Sequence, residues 1–239
     1  MALENNKHLT LKQFPKPKYM KTILLLVGVL FTVSVHAQPN KISDSLLYAT
    51  CTAIKDSKQP TDSMKIGEAF NELLGSVFST IKDSITYTKT FDYLYVRLQK
   101  LCPAFKKYLD DINPPKDDWT PLDSQPASKM DKKSCREFLN HKSYYYFDQS
   151  GDTVNLSLSN NYWIDHFKDG TYSKLRFNWV NDQEFEISFI ESTNKIRKNL
   201  SKPGEKYKYA LIEKFPTYYL VFLNMKEFSV MGTFKLFYR

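Results

Sequence analysis

The chain has 239 residues, with 34 Lys and Arg against 26 Asp and Glu, and therefore a formal net charge of +8. Aromatic residues make up 15 % of the sequence and only seven residues are glycine, which excludes collagen-like and low-complexity classes. This length is sufficient for one or two domains with substantial hydrophobic cores.

The first 37 residues are typical of an export signal. Met20 and Lys21 precede an uncharged, largely apolar run over 22–35, and Ala37 follows shortly after it. A basic residue, an apolar stretch and a small residue form a signal peptide, and this run is shorter than the roughly 20 residues of a spanning helix. Residues 1–19 are either an extended basic n-region or lie before the true start, and we favour a start at Met20. We expect cleavage after Ala37, a mature chain without a membrane span, and a periplasmic or extracellular location. An uncleaved anchor is the alternative.

Removal of the signal leaves 29 Lys and Arg against 25 Asp and Glu, so the net charge falls to +4. Nucleic-acid binding usually requires a stronger and more clustered positive charge. We therefore expect no nucleic-acid partner for the mature chain.

Residues 38–112 are predicted to form a domain of three helices. Apolar side chains recur at helical spacing around Leu47, over 66–81 and over 91–109. Pro103 interrupts the last stripe, so it should either kink that helix or begin a new one as its first residue.

Three cysteines remain after the predicted cleavage. Cys51 and Cys102 lie on apolar helix faces of the same small domain, whereas Cys135 lies far along the chain. Because an exported chain meets an oxidising compartment, we expect a Cys51–Cys102 disulfide and a free thiol at Cys135.

Residues 113–134 contain four prolines, many charges and few aliphatic residues, and this composition predicts a linker. Trp119 is the exception, and it is expected to dock on a neighbouring surface.

Residues 135–239 are predicted to form an antiparallel β domain, which makes the fold α+β. Helix-length polar crossovers are missing from its sequence, so consecutive strands should pair as a meander. Eight such strands close into an up-and-down barrel, with a strongly curved open sheet as the alternative. The predicted strands are 143–148, 153–158, 162–167, 172–180, 184–191, 205–214, 217–224 and 228–238.

The best-defined hairpin covers residues 171–192. Apolar and polar side chains alternate on both sides of a three-residue loop at 181–183. The pattern predicts three facing apolar pairs: Trp179 with Phe185, Phe177 with Ile187, and Leu175 with Phe189.

Two further turns assign faces to the neighbouring strands if each turn has a two-residue loop. A loop at 169–170 sets Ile164 opposite Leu175, so that Tyr162, Ile164 and His166 point inward and Asp165 outward. A loop at 150–151 predicts the pairs Phe147 with Val154 and Tyr145 with Leu156.

Strand 217–224 is apolar on both faces, so both faces must be covered. The helical domain is the expected cover, with a dimer interface as the alternative.

Two parts of the chain resemble exported Gram-negative proteins of uncharacterised function. Cys51 and the Leu-Cys-Pro-Ala-Phe run at 101–105 resemble small secreted helical domains. The C-terminal part resembles lipocalin-like β domains, in which a Cys opens the domain, as Cys135 does, and Trp179 would precede a turn with a second Cys. Gln183 stands in place of that Cys. The resemblance implies export and a fold, and it implies no activity.

The sequence has no Walker loop, G-x-S-x-G, H-E-x-x-H or C-x-x-C motif. We therefore predict no catalytic residues, no metal site and no cofactor, and a non-enzymatic role. The preferred hypothesis is an exported binding protein that holds a small apolar ligand in the barrel. The alternatives are an envelope-interaction protein with a packed barrel, whose partner is an envelope component, and a hydrolase with an unrecognised site.

Two sets of residues are candidates for binding. An interior ligand site is predicted from the inward face of the barrel, and an anion-binding surface from a basic segment. The interior set is Tyr162, Ile164, His166, Phe177 and Trp179. The basic set is Lys195, Arg197, Lys198 and Lys202.

Overall fold

The computed structural model describes residues 42–141, 143–225, 228 and 230–239. The predicted export signal and its cleavage site lie outside this part of the chain. None of the helices within the described ranges combines the length and apolar character that a membrane span requires.

The N-terminal part is helical, as predicted. Its four helices are α1 (Asp44–Asp56), α2 (Asp62–Ser79), α3 (Ser84–Leu101) and α4 (Pro103–Ile112). The first three helices each begin at an N-cap residue, namely Ser43, Thr61 and Asp83. The side chain of each N-cap accepts a hydrogen bond from a backbone N–H group in the first turn. The fourth helix arises because Cys102 is extended and Pro103 restarts the helix at its first position.

The expected disulfide joins α1 to the α3–α4 junction. Cys51 and Cys102 lie at disulfide distance, with Cα atoms 5.3 Å apart, and both are buried in the helical core. Cys135 is a free, buried cysteine, as predicted. Leu47, Leu94 and Leu98 are fully buried beside the disulfide, so the apolar stripes form the core of this part.

The C-terminal part is a closed eight-stranded antiparallel barrel. Its strands follow the chain in order, and the last pairs with the first at Tyr144–Tyr238 and Tyr145–Phe237. A short ninth strand, β1 (Thr120–Pro121), pairs with β9 at Thr233 and Gly232, beyond the positions where β9 pairs with β2. The barrel strands are β2 (Ser143–Phe147), β3 (Thr153–Ser159), β4 (Tyr162–His166), β5 (Tyr172–Trp179), β6 (Glu184–Ser192), β7 (Lys206–Lys214), β8 (Tyr218–Met225) and β9 (Val230–Tyr238).

The register of the central hairpin is confirmed. Trp179 faces Phe185, Phe177 faces Ile187 and Leu175 faces Phe189. Five of these six side chains are buried in the barrel core, and Trp179 packs against them.

The faces predicted for β2–β4 are wrong by one residue. Both turns have three-residue loops, 149–151 and 168–170, each ending in a glycine with φ near +80°. Such a loop is a common hairpin closure, and its extra residue moves the pairing by one position. The pairs are therefore Phe147–Thr153, Tyr145–Asn155 and Ile164–Lys174.

Two short helices close or line the barrel ends. α5 (Lys132–Phe138) precedes β2 and places Phe138, which is fully buried, against Tyr144, Phe185 and Tyr219. α6 (Lys195–Leu200) lies between β6 and β7 at the opposite end. We call these the α5 end and the α6 end of the barrel. Neither helix was predicted, because each spans only six or seven residues.

The proline-rich segment lies along the outside of the barrel. The Leu122 N–H donates to the Met231 carbonyl at 3.0 Å, and the Lys129 N–H donates to Ile212 at 2.7 Å. Leu122 also packs against the outward-facing cluster that contains Phe222. The expectation that the helical domain covers this outer face of β8 is therefore wrong, because the proline-rich segment covers it.

Trp119 docks on β9, as its isolation in the sequence suggested. A Cβ atom at Gly232 would lie 2.6 Å from the Trp119 ring and 2.4 Å from the Thr120 carbonyl oxygen. Only glycine therefore lets the proline-rich segment approach β9 this closely.

We expect Gly232→Ala to destabilise the protein by about 1–3 kcal/mol, since the added methyl group meets a backbone oxygen and a ring. Gly67→Ala is the matched control, because its Cβ meets nothing within 4 Å and a helical alanine should stabilise by about 0.5–1 kcal/mol. Thermal melts of both variants test this. Equal melting temperatures would contradict the docking of Trp119.

Candidate functional site

Asp165 lies inside the barrel near the α6 end. Its neighbours in the strand, Ile164 and His166, face outward, while Trp163 shares its inward face. Asp165 is 6 % exposed, and its Oδ1 atom accepts a hydrogen bond of 2.9 Å from Trp163 Nε1. A carboxyl group in an aromatic barrel interior is costly unless it is paired or serves a purpose.

Arg197 reaches the same region from α6. Its guanidinium carbon lies 5.6 Å from the centre of the Phe167 ring, and Nη2 lies 3.5 Å from the Tyr146 hydroxyl. The Tyr209 ring stacks on Phe185, with ring centres 5.1 Å apart, and Tyr209 interacts electrostatically with both Asp165 and Arg197. We define the α6-end site as Tyr146, Asp165, Arg197 and Tyr209.

Several side chains of the interior keep accessible surface where complete packing would remove it. Tyr209 is only partly buried, although Tyr207 and Leu211, its inward neighbours in β7, are 8 % and 0 % exposed. Tyr146 and Phe234 are partly buried in the same way. Tyr209 therefore keeps accessible surface in mid-strand, on the inner side of a closed barrel.

The surroundings of Asp165 raise the pKa of its carboxyl group. Burial raises the pKa of this carboxyl group, and hydrogen bonds from Trp163 and Tyr146 and the charge of Arg197 offset the effect only in part. Burial also raises the pKa values of Tyr146 and Tyr209, so both hydroxyls stay protonated. Burial opposes the charge of Arg197, but its neighbours, led by Tyr146 and Asp165, raise its pKa overall.

The α5 end is filled by aromatic rings. Phe138 lies at the centre of this stack, with five ring centres between 5.1 and 6.5 Å from its own. Phe177 and Trp179, which the sequence predicted as ligand contacts, belong to this stack. Their inward direction is confirmed, and their contact with a ligand stays a prediction.

Tyr162, Ile164 and His166 lie on the outer side of the barrel, so their predicted inward direction is wrong. The ring of Tyr162 lies 4.3 Å from Lys174 Nζ, and His166 Nε2 lies 3.3 Å from Ser157 Oγ. The register shift that turned them outward also turned Asp165 inward. A three-residue loop ending in Gly170 is the sequence signal that would have placed Asp165 in the site.

The predicted basic surface is largely engaged with the rest of the chain. Lys195 Nζ lies 2.5 Å from Asp92 Oδ2, and Lys202 Nζ lies 2.8 Å from Asp44 Oδ2. Arg197 turns inward, and Lys198 is exposed. The segment contains a helix where a flexible loop was expected, and its side chains therefore point in different directions. Anion binding by Lys195, Lys198 and Lys202 stays a prediction.

A second charged cluster joins the helical part to the barrel. Arg97, which is 1 % exposed, donates from Nε and Nη2 to Asp44 at 3.1 and 2.8 Å. It also donates to Glu205, at 3.0 Å from Nη1, and to the Leu200 carbonyl at 2.6 Å. Lys100 Nζ completes the cluster, 2.6 Å from Glu205. We call this set the Arg97 cluster.

The Arg97 cluster is saturated with partners. Burial alone would raise the pKa values of Asp44 and Glu205, but hydrogen bonds from Arg97, with Lys202 and Lys100, lower both to about 2. Sequence reasoning missed the cluster. The signal was a charged residue inside the apolar stripe of α3, between Leu94 and Leu98.

The described residues contain no group of three or more His, Cys, Asp or Glu side chains arranged to hold a metal ion. Burial raises the pKa of the Cys135 thiol, which keeps it protonated and unreactive. Comparisons with protein-family models, with curated proteins and with solved structures return no significant match for this chain.

We expect Asp165→Asn to stabilise the protein at neutral pH. The unfolded carboxyl ionises at its ordinary pKa of 3.8, but the folded one has a raised pKa. Its stabilising contribution is therefore complete below pH 3.8 and is lost as the pH rises through the folded pKa. Asparagine still accepts a hydrogen bond from Trp163 and does not ionise. The melting temperature of Asp165→Asn should therefore exceed that of the wild type by a margin that grows above pH 3.8.

Asp169→Asn is the matched control, because its effect on stability should have the opposite sign. Hydrogen bonds from Thr171 lower the pKa of this exposed loop carboxyl, so its removal should cost stability above pH 3.8. Melting curves between pH 3 and pH 7 separate the two variants. A pH-independent or negative effect of Asp165→Asn would contradict the buried position of Asp165.

We expect Arg97→Met to cost about 3–5 kcal/mol, because it leaves two partly buried carboxylates without their main partner. Lys107→Met removes the exposed pair with Asp111 and should leave the stability nearly unchanged, because solvent screens exposed ion pairs. Denaturant melts measure both. The Arg97 contribution should be complete above pH 4.5 and fall as the pH drops towards 2, since Asp44 and Glu205 have lowered pKa values.

Proposed function

We propose that this chain is an exported binding protein that holds one small ligand inside its barrel. The observation that carries the proposal is the surface kept by Tyr209 in the middle of β7, between two buried neighbours. Eight-stranded barrels are either filled by side chains or hold a single small ligand, and surface kept at mid-depth supports the second case.

The proposed ligand occupies the space between the aromatic stack of the α5 end and the α6 helix. Leu223, Phe234 and Tyr209 offer it apolar and aromatic contacts. Asp165 and Tyr146 offer polar contacts near one end only. This one-sided polarity matches a molecule with an apolar body and one polar group, because small-molecule sites combine apolar walls with a few fixed polar groups.

Three features support export. The apolar run before Ala37 has the pattern of a signal peptide, and disulfides such as Cys51–Cys102 persist in oxidising compartments. The short motifs around Cys102 and Trp179 resemble exported Gram-negative proteins. We therefore propose a periplasmic or extracellular location and membership of that group.

An envelope-interaction protein with a filled barrel is the second candidate function. The ring stack around Phe138 favours it, because the α5 half of the interior is packed by the protein's own side chains. In that case binding would use the outer surface, and the interior would serve stability alone.

Native mass spectrometry of protein purified without denaturant tests the first function. We expect an added mass that is released when the protein unfolds. Leu223→Phe, which narrows the interior, should reduce this added mass without loss of stability. Leu139→Phe is the matched control, since Leu139 is 46 % exposed and should leave both quantities unchanged.

A filled barrel gives the opposite result. The purified protein would show the mass of the chain alone, and Leu223→Phe would cost about 1–3 kcal/mol through overpacking. This combination would overturn ligand binding in the interior and favour the second candidate.

A further inference from the structure

Arg197 has far fewer partners than its donors require. A guanidinium group carries five N–H donors, and within the described residues the guanidinium of Arg197 makes one hydrogen-bond contact, the long 3.5 Å approach to the Tyr146 hydroxyl. The face of the Phe167 ring lies beside the group and fixes its direction without accepting a conventional hydrogen bond. Arg197 is partly buried, and none of its nitrogen atoms is among the fully buried side-chain atoms without a partner in the described part of the chain, so its open donors keep surface that a ligand can reach.

Asp165 does not accept a hydrogen bond from the Arg197 guanidinium. Its Oδ1 atom accepts from Trp163 Nε1 at 2.9 Å, and the nearby Tyr146 hydroxyl also lowers its pKa. Arg197 and Asp165 act on each other through space, and the described residues include no ion-pair contact between them within 4.0 Å. Asp148, the other carboxyl group that acts on Arg197, has its Oδ1 engaged by the N–H groups of Ser150 and Asp152.

Other cationic side chains near α6 are paired with carboxylates. Lys195 and Lys202, which flank α6, each lie within 2.8 Å of a carboxylate oxygen. Arg97 holds Asp44, Glu205 and a backbone carbonyl. Arg197 differs from them, because it points into the barrel and most of its donors have no acceptor among the residues that the structure describes.

We propose that Arg197 binds the carboxylate of a small amphiphilic anion whose apolar body lies in the barrel interior. The proposal rests on the proposed function and names its ligand class. The planar guanidinium matches the two oxygens of a carboxylate in a bidentate pair. The Tyr146 hydroxyl lies beside the same position, and the apolar side chains around Tyr209 accept the body of the ligand.

The charge of the site selects against other ligands. Arg197 cannot lose its proton in a protein, so it repels an ammonium group. A neutral polar group would accept a weaker hydrogen bond from the guanidinium than a carboxylate does, because charge-assisted hydrogen bonds are about twice as strong as neutral ones. Burial raises the pKa of Asp165, which reduces its repulsion of an anion.

Octanoate and 1-octanol are suitable probes, because they share an apolar chain and differ in the head group. We expect calorimetric titration of the full purified chain, after removal of any copurified ligand, to show octanoate binding at least about 10-fold more tightly than 1-octanol. Arg197→Met should abolish this preference by weakening octanoate about 10-fold or more, with 1-octanol unchanged. Arg197→Lys should restore part of it, since the charge remains and the fork is lost.

Lys198→Met is the matched control, because it removes the same charge from the next position of α6 on the exposed side. It should leave both affinities unchanged. The indole N–H resonance of Trp163, which reports on Asp165, should shift with octanoate in the wild type and not in Arg197→Met. Thermal melts confirm that both variants are folded.

The outcomes separate the two proposals. If both probes bind with equal affinity and Arg197→Met changes neither, the anion site is overturned while interior binding stands. If Lys198→Met weakens octanoate as much as Arg197→Met does, the anion binds at the surface and the proposal fails. If neither probe binds and no mass copurifies, the proposed function fails, and the anion site fails with it.

Discussion

The pairing of the first and last barrel strands is the constraint on which the rest of this structure depends. Tyr144–Tyr238 and Tyr145–Phe237 convert a meander into a closed surface. Closure removes the exposed sheet edges and also divides the side chains into an inner and an outer set. Every inner side chain must then pack, bond or face an enclosed space, so a change of one residue in register decides whether Asp165 or His166 meets that interior.

The inner side chains at the two barrel ends are accommodated in different ways. At the α5 end, Phe138 fills the interior with apolar contacts, because ring–ring packing stabilises without any polar partner. At the α6 end, the groups that face inward are a carboxyl, a guanidinium and a tyrosine hydroxyl. The α5 end also holds buried polar atoms, the hydroxyls of Tyr144 and Tyr219, so the two ends differ chiefly in charge, because the carboxyl of Asp165 and the guanidinium of Arg197 lie at the α6 end.

Much of the fold could be predicted because it depends on periodicity, and the site could not because it depends on loop length. Alternation around the 181–183 loop set the register of β5 and β6, since any slip pairs apolar with polar side chains. At Gly151 and Gly170 the glycine was recognised but its position in the loop was not, and counting two residues instead of three turned the inner face outward. Arg97 was hidden for another reason, because periodicity reports apolar side chains and passes over a buried charge whose partners are distant in sequence.

Arg97 and Arg197 are connected through α6. Arg97 has its donors satisfied, and one of its acceptors is the carbonyl of Leu200, the last residue of α6. Glu205, a second acceptor, follows the same helix before β7 begins. The Arg97 cluster therefore fixes both the end of α6 and the chain beyond it, and α6 is the helix that carries Arg197 into the barrel. A guanidinium with open donors can keep one direction only if its helix is held from outside, and the buried charges of the helical part provide that support.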